Sequence, residues 1–148
     1  MYSIKPFNDL TLQELYAIGR LRQEVFVVEQ NCPYIDFDGR DDQCHHLMFW
    51  NAEGELVAYA RLVPKGISYP DEPSIGRVIT SQKARGTGLG RRLMLAAVEE
   101  CFRLWGKSPI RISAQTYLLD FYTSLGFVST GKAYLEDDIP HTEMLLKV

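Results

Sequence analysis

The sequence predicts a single α/β domain over residues 1–148, in which helices and strands alternate along the chain. Apolar residues recur at helical spacing in some segments and alternate with polar residues in others, and no internal repeat or low-complexity linker divides them. With 46% hydrophobic and 24% charged residues, the chain has the composition of a folded protein. Its 148 residues are enough to bury one core.

The first helix is predicted where Thr11 and Glu14 form a T-x-x-E capping box. Apolar residues then follow at helical intervals: Leu15, Ile18, Leu21 and Val25. The next segment, NCPYIDFDGRDD at residues 31–42, is rich in proline, glycine and aspartate. This composition predicts an irregular and strongly acidic loop with room for a short helical turn.

A β-hairpin is predicted for residues 46–50 and 56–63, since Gly54 in the connecting NAEG can take the positive φ of a short loop. Residues 74–80 predict a further strand, which the glycine-rich stretch ARGTGLGRRLM at residues 84–94 joins to a helix. Apolar residues of that helix recur at spacings of four and three: Leu89, Leu93, Ala97, Cys101 and Leu104. The rest predicts a strand, a short helix and two closing strands, at residues 110–114, 118–125, 127–134 and 141–147.

Charge and hydropathy exclude several classes of partner. The net charge of -3 and the pI of about 5.6 give no global positive field, so nucleic acid is not expected as a partner, although Arg85, Arg91 and Arg92 form a local basic patch. No run of about 18 apolar residues predicts a membrane span. The first residues, MYSIKPFNDL, lack the pattern of a signal peptide, so a cytoplasmic protein without membrane association is expected.

The cysteines and histidines do not predict a metal site. Cys32, Cys44 and Cys101 make an odd count without disulfide-framework spacing, which favours free thiols in a reducing compartment. Cys32, Cys44, His45 and His46 contain neither a CxxC pair nor a histidine pair at helical i, i+4 spacing. No metal is therefore expected.

The glycines between the fourth strand and its following helix predict an anion-binding loop. Gly86, Gly88 and Gly90 do not make a dinucleotide-binding G-x-G-x-x-G, because Arg91 stands where the third glycine is needed. A Walker A loop is excluded as well, since no lysine and hydroxyl residue follow. What remains is a turn whose backbone N–H groups at a helix N-terminus suit a pyrophosphate, with Arg85 and Arg91 adding charge. The alternative is a tight turn that only allows close packing of helix and sheet.

Two motifs resemble one family. RGTGLG at residues 85–90 is similar to the [QR]-x-x-G-x-[GA] signature of the Gcn5-related N-acetyltransferases (GNAT family), which hold the pyrophosphate of acetyl-CoA between the fourth strand and third helix. FYTSLGF at residues 121–127 resembles the xYxxxGF element near the family's C-terminus, and Gln115 stands where the family often has asparagine. Residues 22–47 and 137–144 resemble the ElaA subgroup, and the first of these stretches faintly resembles acyl-homoserine lactone synthases.

The resemblance implies the GNAT fold: a mixed, mostly antiparallel sheet of about six to seven strands, splayed between strands 4 and 5, with about four helices. It also implies direct attack of a primary amine on the thioester of acetyl-CoA in a ternary complex. The pantetheine arm is then expected along the end of the fourth strand, where a backbone N–H would stabilise the oxyanion. Cofactor-binding residues implied are Val78, Ile79, Thr80, Arg85, Gly86, Thr87, Gly88, Leu89, Gly90, Arg91 and Gln115.

Two proton transfers require an acid for the thiolate and a base for the amine. Tyr122 matches the family's usual acid, and its alternative role is that of an aromatic ring packed in the core. His141, which opens a closing strand after a proline, is a candidate base. Glu29, Asp36 and His46 in the subgroup-like segments are further candidates for the base or for substrate binding.

Charged residues near the first helix leave two interpretations open. Arg22 lies beside Val25 and Phe26 in the predicted helix, so it is expected to be partly buried and paired, with binding of a substrate carboxylate as the alternative. The acidic loop could attract a cationic amine, although a solvated surface is the more common role of such a run. Its carboxylates are Asp36, Asp38, Asp41 and Asp42.

The sequence therefore predicts an N-acetyltransferase that acts on a small-molecule or peptide amine. An acyl-CoA-binding or sensing domain without turnover is the alternative of another class, and Tyr122 favours the enzyme because a binding protein needs no leaving-group acid. A third hypothesis is an acyltransferase related to acyl-homoserine lactone synthases, although this chain is shorter than is usual for those enzymes. The acceptor and the oligomeric state, a homodimer included, stay open.

Overall fold

Two antiparallel sheets form the framework of the fold in a computed structural model that describes residues 1–148. The first sheet has the strand order β1-β2-β3-β4 and the second has the order β5-β7-β6. Three α-helices connect and cover the strands. The elements follow in the order β1 (Tyr2–Pro6), α1 (Leu12–Arg22), β2 (His45–Trp50), β3 (Leu56–Val63), β4 (Ser74–Thr80), α2 (Leu89–Trp105), β5 (Ile110–Gln115), α3 (Leu119–Ser124), β6 (Phe127–Glu136) and β7 (Ile139–Leu146).

The sheets touch where β4 and β5 begin. The amide of Arg111 at the start of β5 donates to the carbonyl of Pro73, just before β4, at 3.1 Å. No strand ladder continues from this contact, and α2 returns the chain from the end of β4 to the start of β5. The two strands therefore diverge toward their C-terminal ends and leave an open notch, which confirms the predicted splay between strands 4 and 5.

The capping box predicted for the first helix is present in α1. The Glu14 amide donates to Thr11 Oγ1 at 3.0 Å, and the Thr11 amide donates to Glu14 Oε1 at 2.8 Å. After Arg22 the helix widens into a π-helix over Gln23–Glu29, which the sequence pattern did not predict. This stretch has three valines, whose branched side chains lower α-helix propensity. The α-helices consequently number three, where about four were expected.

Helices cover both faces of the first sheet. α2 packs on one face, and α3 lies beside α2 against the second sheet. Their apolar side chains join those of both sheets in a cluster of 18 buried residues. α1 and the π-helix pack on the opposite face in a smaller cluster of seven buried residues: Ile18, Leu21, Val25, Phe26, Met48, Tyr59 and Ile79. The strands on either side of the notch are therefore packed against helices: β4 against α1 and α2, and β5 against α3. None of the helices has the length and apolar character needed to cross a membrane.

Candidate active site

The glycine loop ends in an N-terminus of α2 that has no side-chain cap. Gly88 is the N-cap residue with φ +78°, and Gly86 has φ +80°. A Cβ at either glycine would meet nothing within 4 Å, and one at Gly90 would make only ordinary contact with Phe121 at 3.9 Å. The positive φ values explain the first two glycines, whereas close packing of helix and sheet, the alternative predicted role, explains none of the three. The first-turn N–H groups are left free for an anion.

The polar side chains of this loop differ in how they are engaged. The Arg85 guanidinium contacts both carboxylate oxygens of Glu29, at 2.5 and 2.8 Å. Arg91 donates to the hydroxyl of Ser124 at 3.1 Å and has no carboxylate partner. Thr87 Oγ1 donates to the carbonyl of Ala84 at 2.6 Å, which closes the turn. Glu29, predicted to bind substrate, is therefore paired with a residue of the predicted pyrophosphate loop.

A β-bulge in β4 lies beside the notch. The pairing of β3 with β4 shifts register so that Arg77 and Val78 together oppose Ala60. Arg77 has φ +50°, a strained value for a side chain of this size. The bulge changes the direction of the β4 backbone just before Ile79 and Thr80, at the edge that no other strand pairs. Backbone groups there are the ones that the resemblance assigns to the pantetheine arm.

Arg77 itself was not recognised from the sequence. Its Nε donates to Asp36 at 2.8 Å, and its NH2 group lies 3.4 Å from Asp38. The guanidinium also lies over the rings of Phe26 and Tyr34 at 6.0 and 5.8 Å. These contacts hold the strained residue in place, and no local sequence signal marks an arginine with positive φ.

Arg22 is paired, as the favoured interpretation predicted, and it is buried more completely than expected. Only 1% of the residue is exposed, and its guanidinium lies 2.6 Å from Asp36 and 2.6 Å from Asp41. The guanidinium also packs over the rings of Phe37 and Tyr59. Neither Arg22 nor Asp36 is open to a ligand, so the geometry gives no support to a role for either residue in binding substrate.

Three carboxylates of the acidic loop pair with arginines. Arg61 pairs with Asp38 at 2.9 Å and with Asp41 at 3.1 Å. Burial raises the pKa of Asp38, but the hydrogen bond and charge of Arg61 outweigh it and hold that pKa at about 2. Of the four carboxylates in this run, only Asp42 has no arginine partner. Asp36 and Asp41 therefore belong to an internal ion-pair network, whereas Asp38 and Asp42 remain at the surface as the favoured interpretation predicted.

His46 is also buried, and both of its ring nitrogens have hydrogen-bond partners within the chain. It is 1% exposed, with Nδ1 2.6 Å from the Tyr59 hydroxyl and Nε2 2.9 Å from the carbonyl of Asp41. Burial lowers the pKa of His46, which favours the neutral ring. This histidine has no free nitrogen for a substrate. No three His, Cys, Asp or Glu side chains converge as a metal ion would require.

Tyr122 lies in α3 with its ring in the core. It makes edge-to-face contacts with Phe121 and Phe127, at centroid distances of 5.1 and 6.0 Å. The residue is 6% exposed, and its hydroxyl makes no hydrogen bond within the chain. Burial raises the pKa of Tyr122 to about 12, so the hydroxyl keeps its proton at neutral pH. The Tyr122 ring therefore packs in the core, as the structural interpretation predicted. Its hydroxyl has no partner in the chain and can still donate a proton, as the role of acid requires.

His141 lies on β7 directly across from Gln115, the last residue of β5. Its Nδ1 lies 2.8 Å from the carbonyl of Ile139, and Nε2 lies 3.4 Å from Glu136. A carbonyl oxygen can only accept a hydrogen bond, so Nδ1 carries a proton. When the ring is neutral, Nε2 is therefore the nitrogen that can accept a proton. Gln115 in turn accepts a long hydrogen bond of 3.5 Å from Gln30.

Most of the predicted site residues lie around the notch, but three predicted substrate-binding residues lie elsewhere. The β4 end, the glycine loop and Glu29 meet on one arm of the notch, and Gln115 and His141 meet on the other. Ser124, two residues after Tyr122, ties α3 to the first turn of α2 through Arg91. Arg22, Asp36 and His46 belong to the internal network on the α1 face instead.

Comparison with known proteins agrees with this architecture. Residues 14–148 match the family described as acetyltransferase (GNAT) domain. The chain is 46% identical to a UPF0039 protein of Schizosaccharomyces pombe over 145 residues, which cover 97% of this chain and 95% of that protein. It is 43% identical to protein ElaA of Escherichia coli over 143 residues, which cover 95% and 92% of the two chains.

Solved structures show the same fold. A crystal structure described as an acyl-CoA N-acyltransferase from Pseudomonas aeruginosa superposes with a TM-score of 0.89 at 47% identity, covering 98% of each chain. The crystal structure of Escherichia coli ElaA superposes with a TM-score of 0.91 at 40% identity, covering 99% of each chain. The sequence motifs, the splayed sheets and these similarities agree. The chain therefore belongs to the GNAT acetyltransferase family.

Proposed function

We propose that this protein is an N-acetyltransferase that moves the acetyl group of acetyl-CoA to a primary amine by direct attack in a ternary complex. The observation that carries the proposal is the uncapped N-terminus of α2, reached through Gly86 and Gly88, beside the unpaired edge of β4. Free N–H groups and a positive helix end favour a diphosphate. An unpaired strand edge favours an arm with amide groups that can pair as a strand does.

In the proposed reaction the amine nitrogen attacks the thioester carbonyl and forms a tetrahedral intermediate. A backbone N–H near the β4 bulge stabilises its oxyanion. The carbon–sulfur bond then breaks, and the Tyr122 hydroxyl protonates the leaving thiolate. His141 Nε2 accepts the proton that the amine loses, while the carbonyl of Ile139 fixes the orientation of the ring. N-acetylated amine and CoA leave as products.

The test is an acceptor screen with the purified chain. Acetyl-CoA is mixed with a panel of small amines, polyamines and peptides, and release of the CoA thiol is followed. We expect thiol release that depends on both acetyl-CoA and one class of amine, with an N-acetylated product of matching mass. Binding of acetyl-CoA without thiol release on any amine would support the acyl-CoA-binding or sensing function instead.

A further inference from the structure

Glu29 forms an ion pair with Arg85, the one arginine of the glycine loop that has a carboxylate partner. Its two carboxylate oxygens contact two different nitrogens of Arg85, at 2.5 and 2.8 Å, across 56 positions of sequence. The hydrogen bond from Arg85 lowers the pKa of Glu29, so the carboxylate is ionised at neutral pH. This forked arrangement is the one in which a guanidinium binds a carboxylate or a phosphate most strongly.

The forked edge of Arg85 can hold only one such anion at a time. Glu29 occupies the edge formed by the two terminal nitrogens, Nη1 and Nη2. A phosphate offers the same pair of oxygens as a carboxylate, so a diphosphate that binds this edge requires the N–H groups that Glu29 now uses. Arg85 also donates to the backbone carbonyl of Thr80 at 3.2 Å, which ties the side chain to the end of β4 without Glu29. The loop arginine therefore keeps an anchor when the ion pair opens.

Glu29 ends the π-helix, and the next residue reaches the other arm of the notch. Gln30 Nε2 donates to Gln115 Oε1 at 3.5 Å. The C-terminal end of the π-helix consequently touches the glycine loop through Glu29 and the end of β5 through Gln30. Side chains on both arms of the notch are linked through this one segment.

We propose that Glu29 competes with the diphosphate of the acyl donor for Arg85 and so sets the affinity of the protein for that donor. The proposal rests on the proposed function, because it takes the glycine loop as the diphosphate site. On binding, the N–H groups of Arg85 exchange the Glu29 oxygens for phosphate oxygens. The Glu29 side chain, already 31% exposed, then turns to solvent.

The experiment compares Glu29→Gln with Glu24→Gln by titration calorimetry. Glu24 lies on the same π-helix and pairs with Arg20 at 3.0 Å, so its substitution removes an equal charge without touching the loop. The probes are CoA and pantetheine, which lacks the diphosphate. We expect Glu29→Gln to bind CoA about two- to fivefold more tightly, the range for opening one partly exposed ion pair. Glu24→Gln should bind CoA as the wild type does, and pantetheine binding should be the same in all three proteins.

A second pair of variants tests whether Arg85 mediates the effect. In an Arg85→Gln background, Glu29→Gln should leave CoA affinity unchanged, since the shared partner is gone. Unchanged or weaker CoA binding by Glu29→Gln alone would overturn the proposal, as would an equal gain in the Arg85→Gln background. Failure of the wild type to bind CoA would instead overturn the assignment of the loop, so the two failures are distinguishable.

Discussion

Tyr122 combines a packed ring with an unpaired hydroxyl, and the substitution Tyr122→Phe separates the two. The ring contacts with Phe121 and Phe127 are kept, so the fold and the affinity for acetyl-CoA should hardly change. If the hydroxyl protonates the leaving thiolate, the chemical step should slow by roughly 10²-fold, the lower part of the range for general-acid catalysis. Single-turnover kinetics with a cooperative melting control measure this. A loss of under about threefold would assign Tyr122 to packing alone.

Asp38 gives the protein a specific sensitivity to acid. Its pKa is about 2 in the folded state, below the ordinary value of 3.8, so the ionised form stabilises the fold above pH 4. That contribution is lost as the pH falls toward 2. After discount for partial exposure, we expect Asp38→Asn to lower the free energy of unfolding by about 1 kcal/mol at pH 7. The difference from wild type should vanish near pH 2 in urea titrations, and a difference independent of pH would contradict this origin.

At the level of single residues, the local sequence pattern predicted whether a side chain is buried better than it predicted which residue that side chain pairs with. The apolar neighbours of Arg22 predicted that it is partly buried and paired; the pairing is confirmed, and the burial is deeper than predicted. Its partners could not be predicted, because Asp36 and Asp41 are 14 and 19 positions away on a loop without periodicity. The same holds for Glu29 and Arg85, whose contact depends on how the π-helix ends against the glycine loop.

The strand–glycine–helix element from β4 to α2 can be tested by Gly88→Val. A branched side chain at φ +78° strains the N-cap and covers the N–H groups that the proposed function assigns to the diphosphate. We expect CoA affinity to fall about tenfold or more, roughly 1.4 kcal/mol. The matched control is Gly54→Val, which has φ +79° in an equally open turn at the β2–β3 hairpin. Equal loss of affinity in both variants, or none in a folded Gly88→Val, would return the loop to a purely structural role.

Element boundaries matched the prediction for regular strands and departed from it where the backbone takes an unusual conformation. β3 and β4 begin and end as predicted, although burial alternates along neither strand, and β3 is buried without interruption from Ala58 to Val63. The closing strands are longer than predicted, since Asp137 and Asp138 both take positive φ and make a tight hairpin turn. The Asp-Asp pair was the available signal. The π-helix had none, because its residues also fit an α-helical pattern.

For the whole molecule, composition and periodicity predicted an α/β class, but the splayed sheets came from the family resemblance alone. A splay depends on the absence of pairing between β4 and β5 beyond the Arg111–Pro73 contact. Neither strand carries a residue that forbids pairing along its whole length, so no local rule predicts the notch. The long-range arrangement of the two sheets and α2 decides it.

That open notch predicts that acetyl-CoA stabilises the whole domain against heat. A ligand that binds only the folded state adds RT ln(1 + [L]/Kd), about 2.7 kcal/mol at a concentration one hundred times Kd. For a domain of this size each kcal/mol raises Tm by about 2–4 °C, so we expect a shift of about 5–10 °C in a thermal melt. CoA without the acetyl group should protect as well, because the diphosphate and arm contacts remain. Gly88→Val should reduce the shift at the same acetyl-CoA concentration, and pantetheine should give a smaller one. An unchanged Tm at millimolar acetyl-CoA would contradict binding in the notch.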